Sequence, residues 1–294
     1  MNKFFLLILT FFISNAVNAD VKGKALSKAS EKISSTIGNL IPGEGVTEVS
    51  VEIREEDNPD FEILGVRDIL SKENSNLFTQ FSIHNNEVNG DNRYIGNLGL
   101  GYRFLNSDKS MMFGVNSFYD RDISEAHSRV SLGFEAKASI LDFTFNQYQK
   151  TTNQKIIDGT KEQVLSGNEY NLSSQVPYMP WTTFNFQGYK WENEKAINDT
   201  KGNIYSLEMA LNPSLQFDLS RDVSSVDDLN DADVNIAKLT FVYPPRENKP
   251  TLQDGIVSEV AFVKENMKDK LKEKVRRNNN LVIEIQGSVI ITQK

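Results

Sequence analysis

The sequence predicts an all-β protein: a twelve-stranded antiparallel up-and-down transmembrane β-barrel with a short N-terminal helix and a C-terminal helix placed to thread the lumen. Three observations predict it. Apolar and polar side chains alternate through consecutive segments between Tyr94 and Phe145, the connections alternate short and long, and the one long apolar run lies at the N-terminus. Successive strand residues point to opposite faces, so each alternating segment has one apolar and one polar side. A soluble sandwich has the same period, so the solvent on each face must be settled by the connections and the ends of the chain.

At the N-terminus, Lys3 precedes the apolar run Phe4–Ile13 and then Ser14–Ala19, with Val17 and Ala19 three places and one place before Asp20. A charged start, an apolar centre of secretory length and a small-residue exit predict a signal peptide over 1–19. The run is shorter than the about 20 residues a membrane-crossing helix needs. With no cysteine in the chain, a lipoprotein anchor and disulfides are both excluded. A formal charge of −8 and 39% hydrophobic content leave no helical span, yet suit a barrel whose strands are apolar on one face.

Residues 20–45 are expected to be a periplasmic helical segment. Leu26, Ala29, Ile33, Ile37 and Leu40 recur at helical spacing, and Pro42, Gly43 and Gly45 end the pattern. Residues 46–243 then hold the barrel, with strands predicted near 46–54, 61–68, 76–84, 92–104, 110–121, 127–138, 140–150, 169–176, 181–191, 203–211, 214–221 and 233–243. The even-numbered joints are short, including Asn106–Lys109, Ser139, Pro177–Pro180 and Asn212–Pro213. Most later odd-numbered joints are long and polar: Thr151–Asn168, Glu192–Gly202 and Asp222–Ala232. Short turns on one side and long loops on the other describe an outer-membrane barrel, whereas sandwich crossovers do not sort loop lengths this way.

The alternation assigns Leu98, Leu100, Phe113, Val115, Leu132 and Phe134 to lipid. It assigns the polar residues Arg103, Asn116, Asp120, Arg129, Glu135, Lys137, Asp142 and Asn146 to the lumen. Tyr94, Tyr102, Phe104, Tyr119, Tyr148, Tyr178, Trp181, Tyr189, Trp191 and Tyr243 fall near strand ends and are expected to form the aromatic girdles of the membrane interface.

Residues 244–294 are expected to hold a helix and a short tail. Ile256, Val260, Val263, Met267, Leu271 and Val275 mark one helix face among charged residues. Some 20 helical residues reach roughly 30 Å, against a barrel apolar band of about 25 Å. The length therefore permits a luminal helix, with a solvated periplasmic helix as the alternative. Asn278–Asn280 ends it, and Leu281–Ile285 alternates like a strand.

The runs Asn97-Leu-Gly-Leu-Gly-Tyr-Arg103 and Gly114-Val-Asn-Ser-Phe-Tyr-Asp-Arg121 resemble the translocator barrel of the intimin/invasin family, the inverse autotransporters. Arg129 with Gly133-Phe-Glu135, Asn146-Gln-Tyr148, Gly167-Asn-Glu-Tyr170 and Pro177-Tyr-Met-Pro180 come after them in the same order. The resemblance covers about Leu77–Tyr243. It implies a twelve-stranded outer-membrane barrel and a helix after the barrel that threads the lumen to deliver the residues C-terminal to it outside. It also implies contact with outer-membrane lipids, and with periplasmic chaperones and the barrel-assembly machinery during biogenesis. No LysM-type module is expected in 20–45, and a sequence ending at Lys294 leaves no room for an adhesive passenger, so adhesion is not carried over.

Other chemistry finds little support. Two histidines and no cysteine leave no basis for a metal cluster or thiol nucleophile, and no cofactor is expected. The acidic balance argues against nucleic acid. His127-Ser128 is the one adjacent pair for a barrel hydrolase, but adjacent strand residues point to opposite faces. The expectation is a non-enzymatic barrel, with a small channel as the alternative and an outer-membrane lipid hydrolase as a weaker one.

Overall fold

The computed structural model describes residues 41–54, 58–196, 198–225, 233–285 and 288–290, together with Lys32 and Thr36. The predicted signal peptide and most of the predicted N-terminal helical segment lie outside the described residues.

Twelve strands close one antiparallel barrel. They are β1 (Gly45–Arg54), β2 (Asp60–Lys72), β3 (Ser75–Val88), β4 (Asp91–Leu105), β5 (Met111–Asp122), β6 (Ser128–Ala138), β7 (Leu141–Lys150), β10 (Gly167–Val176), β11 (Met179–Trp191), β12 (Thr200–Asn212), β13 (Leu215–Ser225) and β14 (Val234–Tyr243). The first and last strands pair to seal it, Val51 standing opposite Leu239. Closure leaves no strand edge, so every wall residue can satisfy its backbone within hydrocarbon. No helix among the described residues is long and apolar enough to cross a membrane; the crossing is made by strands.

The side chains sort as a membrane barrel requires. On β4, Leu98, Leu100, Tyr102 and Phe104 face outward and are exposed, while Asn97, Arg103 and Leu105 are buried inside. Val115, Leu132 and Phe134 are likewise exposed. Gly99 and Gly101 point inward for a steric reason. A Cβ on Gly99 would sit 2.3 Å from the Phe118 ring, and one on Gly101 2.3 Å from the Phe78 ring. The two glycines make room for two aromatic rings inside the lumen.

Two expectations need correction. The first concerns the aromatic girdle: Tyr94, Tyr102, Phe104, Tyr119 and Tyr178 are exposed, but Tyr148, Trp181, Tyr189 and Trp191 are buried. Tyr148 lies two residues from the inward Asn146, and Tyr189 and Trp191 are in step with the inward Asn185. Their parity points them into the lumen despite their place near strand ends.

The second is the helix over 256–277. Only Met267–Lys270 is α-helical, with a short 3-10 turn upstream at Leu252–Asp254; residues 271–282 have no regular secondary structure. A helix would stack Lys268 on Lys272, Lys270 on Lys274 and Lys272 on Arg276, like charges four apart that oppose helix formation. The barrel wall offers those cations and the freed backbone groups better partners.

A further element was not expected. The long connection between β7 and β10 folds as a hairpin, β8 (Lys155–Ile157) and β9 (Thr160–Val164). It joins β15 (Ile283–Ile285) and β16 (Ser288–Ile290) in a four-stranded sheet over the loop side of the barrel. The alternation at Leu281–Ile285 is thus a strand whose partner is a barrel loop, with Ile283 opposite Val164.

Candidate functional site

The candidate site is the lumen and the chain that runs through it. After β14 the chain passes under the turn-side rim. Ser258 N donates to Tyr178 O and Tyr178 N to Ala261 O, both at 2.8 Å. Glu265 N then donates to Ser139 Oγ at 2.8 Å. The chain enters where Met267 and Leu271 pack on Leu105 and Met112. Val275 comes next, among Leu64, Val66, Phe78 and Phe118. The chain leaves at the loop side, where Val282 packs with Tyr148, Leu165, Tyr189, Trp191 and Ile204. There Leu281 and Ile283 pack with Val88, Ile95 and Val164.

Inside the barrel, the wall supplies the hydrogen bonds that a helix would have supplied to itself. Asn76 and Arg103 donate to Leu271 O, and Arg103 also to Glu273 O. Asn146 donates to Arg276 O at 3.0 Å, Arg129 to Asn278 O at 2.7 Å and Asn97 to Asn279 O at 2.9 Å. In the other direction Val275 N donates to Gln80 Oε1 at 2.7 Å, and Asn278 N to Tyr148 Oη and Glu169 Oε1, both at 2.9 Å.

Charges interlock in the same way. Five successive cations of the segment meet acids on five strands: Lys270 with Asp142 on β7, Lys272 with Asp68 on β2, Lys274 with Glu48 on β1, Arg276 with Glu208 on β12, and Arg277 with Asp120 on β5. Glu273 reaches Lys137 at 2.9 Å. Arg276 binds Glu208 through two nitrogens, at 2.6 and 3.0 Å, the paired geometry that gives guanidinium–carboxylate contacts their specificity.

Asp120 is the centre of this arrangement. It accepts from Arg277 at 3.0 and 2.6 Å, from Arg129 at 2.8 Å and from Asn97 at 2.7 Å. Its side chain and both arginines are fully shielded from solvent. The guanidinium of Arg277 lies 4.2 Å from the Phe118 ring centroid, that of Arg129 4.1 Å from Tyr148, and that of Arg103 4.4 Å from Phe78. Stacking on an aromatic face stabilises a desolvated cation. The inward aromatics therefore serve as platforms for the arginines.

Of the residues assigned to the lumen from sequence, Arg103, Asp120, Arg129 and Asn146 touch the segment at hydrogen-bond distance, and Lys137 and Asp142 pair with its charges. Glu135 acts through Arg103, which grips it at 2.8 and 3.0 Å. Asn116 is buried opposite Gly133 and makes no hydrogen bond to the segment among the described residues. Sequence reasoning missed Glu48, Asp68, Glu169 and Glu208. Each is an acid at an inward position of its strand. The available signal was the cation run at 270–277, where Glu273 is the single acid among five cations.

At the loop side, Arg93 holds Glu162 of β9 through two contacts at 2.7 and 2.8 Å, fixing the hairpin over the lumen. Glu284 of β15 accepts from the backbone N–H groups of Glu194, Lys195 and Ala196 at 3.1, 2.9 and 2.9 Å. Successive backbone amides form a concavity suited to a carboxylate. His127 is buried here, 3.9 Å from Glu162. Burial, with Lys155 nearby, pushes its pKa down to about 4. Ser128 Oγ pairs with Thr151 Oγ1 at 2.8 Å, so the two residues weighed for hydrolysis have separate partners. A cavity of about 310 Å³ remains between the segment and the β10–β13 wall toward the turn side, below the apolar clusters around Val282 and Ile283.

The family model described as inverse autotransporter, beta-domain, matches residues 12–279. Over 171 residues the chain is 27% identical to a putative attaching and effacing protein homolog of Escherichia coli (strain K12), covering 57% of this chain and 55% of that protein. Over 142 residues it is 25% identical to invasin of Yersinia enterocolitica, covering 47% of this chain and 16% of invasin. The chain thus spans about half of the first relative and a small part of the second. A chain from a study of the in-meso crystallization of membrane proteins superposes with a TM-score of 0.65 at 16% identity, covering 82% of this chain and 99% of that one; the likeness is one of fold.

Proposed function

This chain belongs to the inverse autotransporter β-domain family, and from that premise we propose that it anchors in the outer membrane and holds the chain beyond residue 280 at the cell surface. The observation that carries the reading is the threaded segment itself. It enters from the side of the short turns and leaves among the long loops, with its cations each met by a wall acid. In an outer-membrane barrel the turns are periplasmic and the loops external. Export begins with the signal peptide at 1–19. Periplasmic chaperones and the barrel-assembly machinery are the partners of biogenesis, and outer-membrane lipids those of the finished barrel. No enzymatic step is part of the reading.

An epitope tag after Lys294 tests the orientation on intact cells. Antibody should bind it without permeabilisation, whereas a tag in the Asn106–Lys109 turn should be reached only after permeabilisation. The reverse pattern would overturn the reading. Conductance separates a held display segment from a channel. The whole chain should be closed in planar bilayers, and a chain ending at Pro250 should conduct. An open full-length chain would favour the channel.

A further inference from the structure

The stretch just before the lumen carries an unusual set of exposed side chains. Ile256, Val257, Val260 and Phe262 are all exposed, Val257 at 71%, with Glu259 exposed among them, ahead of a segment whose cations from Lys270 to Arg277 are each paired with a wall acid. The stretch does not hang free. Its backbone brackets the Tyr178 turn through Ser258 and Ala261, Ile256 O accepts from Trp181 Nε1 at 2.9 Å, and Val263 exchanges two hydrogen bonds with the Gln175 side chain, at 2.8 and 3.1 Å. The apolar side chains are thus held in place at the foot of β10 and β11.

Their surroundings name the occupant. The exposed Tyr178, Ile140 and Leu141 belong to the adjoining turn-side rim, and the outward Phe184 of β11 lies on the lipid face above. Tyr178, whose backbone the strap brackets and whose side chain is exposed, joins the strap's apolar side chains to this rim. A contiguous apolar patch of this kind on a folded protein marks a contact surface. An extended segment tied at both ends can lie in the interfacial zone while its backbone remains satisfied by the rim.

We propose that residues 256–262 form a membrane-embedded strap whose apolar side chains insert into the phospholipid leaflet at the turn side of the barrel. The strap lengthens the barrel's lipid-contacting surface on one side. It also fixes the point from which the chain turns into the lumen at Met267. Naming this leaflet periplasmic rests on the orientation proposed above; lipid contact itself does not.

The absence of native cysteine allows a direct test on the full chain refolded in phosphatidylethanolamine–phosphatidylglycerol vesicles. Single cysteines replacing Val257 and Val260 carry a nitroxide, and relaxation by oxygen is compared with relaxation by a water-soluble nickel chelate. Leu132→Cys, on the lipid face, and Asn106→Cys, on a turn, set the two references. Folding of each variant is checked by its heat-modifiable gel mobility, and each strap position serves if the other misfolds. The oxygen-to-chelate ratio at 257 and 260 should be several-fold above that at 106 and close to that at 132. A ratio matching 106 would place the strap in water, and shielding from both reagents would mean that protein covers it; either overturns the proposal. Tag accessibility reads orientation separately, so either idea can fail without the other.

Discussion

Residues 252–266 and residues 271–285 lie close together in the chain, share the apolar helical spacing that runs from Ile256 to Val275, and are treated in opposite ways by the fold. In the first stretch Ile256 and Val260 face outward beneath the rim; in the second Val275, Leu281 and Ile283 are buried. The backbone of the first is tied at a few points to the turns around Ser139 and Tyr178. That of the second is bonded along its length by Gln80, Asn97, Arg103, Arg129 and Asn146. The contrast teaches that a helical period describes spacing, and that the partners available to backbone and charge decide the conformation. A lumen lined with amides, acids and stacked arginines competes successfully with i to i−4 hydrogen bonds.

The sharpest way to break the contrast is at Asp120. With both arginine partners fully shielded, Asp120→Ala leaves buried cations uncompensated, a change that costs about 3–5 kcal/mol. The loss is measurable as a shift in the urea midpoint of the barrel in vesicles. Adding Arg277→Met should recover part of it, because one stranded charge is removed. Additive losses in the double variant would show that wall and segment are not coupled there.

A smaller effect is expected at Gly101. Its inward side meets the Phe78 ring, on which Arg103 stacks before bonding Leu271 O. Gly101→Val should destabilise by about 1–3 kcal/mol through overpacking. Pairing it with Phe78→Leu should give a total below the sum of the single costs. If Gly101→Val is tolerated alone, the platform under Arg103 is looser than the geometry requires.

Glu284 tests the exit. Replacing it with Ala removes charge-assisted acceptors from Lys195 N and Ala196 N. At about 1.5 kcal/mol, the lower end for bonds to a charged group, those two amides should exchange roughly tenfold faster. Unchanged exchange would mean that Glu284 does not tie β15 to that loop, leaving strand pairing and the packing of Ile283 to hold it.

How much of this was legible in the sequence is set by the same physics. The two-residue period of the strands is fixed locally by the pleat, so the barrel and the inward places of Arg103, Asp120 and Arg129 could be read directly. The lumen segment could not, because its conformation depends on residues more than a hundred positions away, such as Arg103 and Asp120 for Leu271 and Arg277. The girdle error was avoidable. Tyr148 shares parity with Asn146, and the glycines opposite Phe78 and Phe118 signal rings turned inward. The hairpin β8–β9 was hidden, since its sheet is completed only by the exiting chain.

The smallest predicted effect completes the contrast by moving the same chemistry into water. At the turn-side rim Glu73 stands between Lys109, at 2.8 Å, and Lys268, at 3.5 Å, as Asp120 stands between two arginines in the lumen. The Lys109 hydrogen bond and charge hold the Glu73 carboxyl below its ordinary range. A folded-state pKa lowered in this way adds stability above the unfolded value of about 4.3. That stability is lost as pH falls through the folded value. Yet Glu73 is widely exposed, and a solvated pair gains little because water and salt screen it. Glu73→Gln should therefore leave the urea midpoint at pH 7 and about 0.15 M salt unchanged, with any separation from the parent confined to low salt and vanishing on acidification. A loss at Glu73 comparable to that at Asp120 would mean that burial is not what gives the luminal charges their hold on the segment.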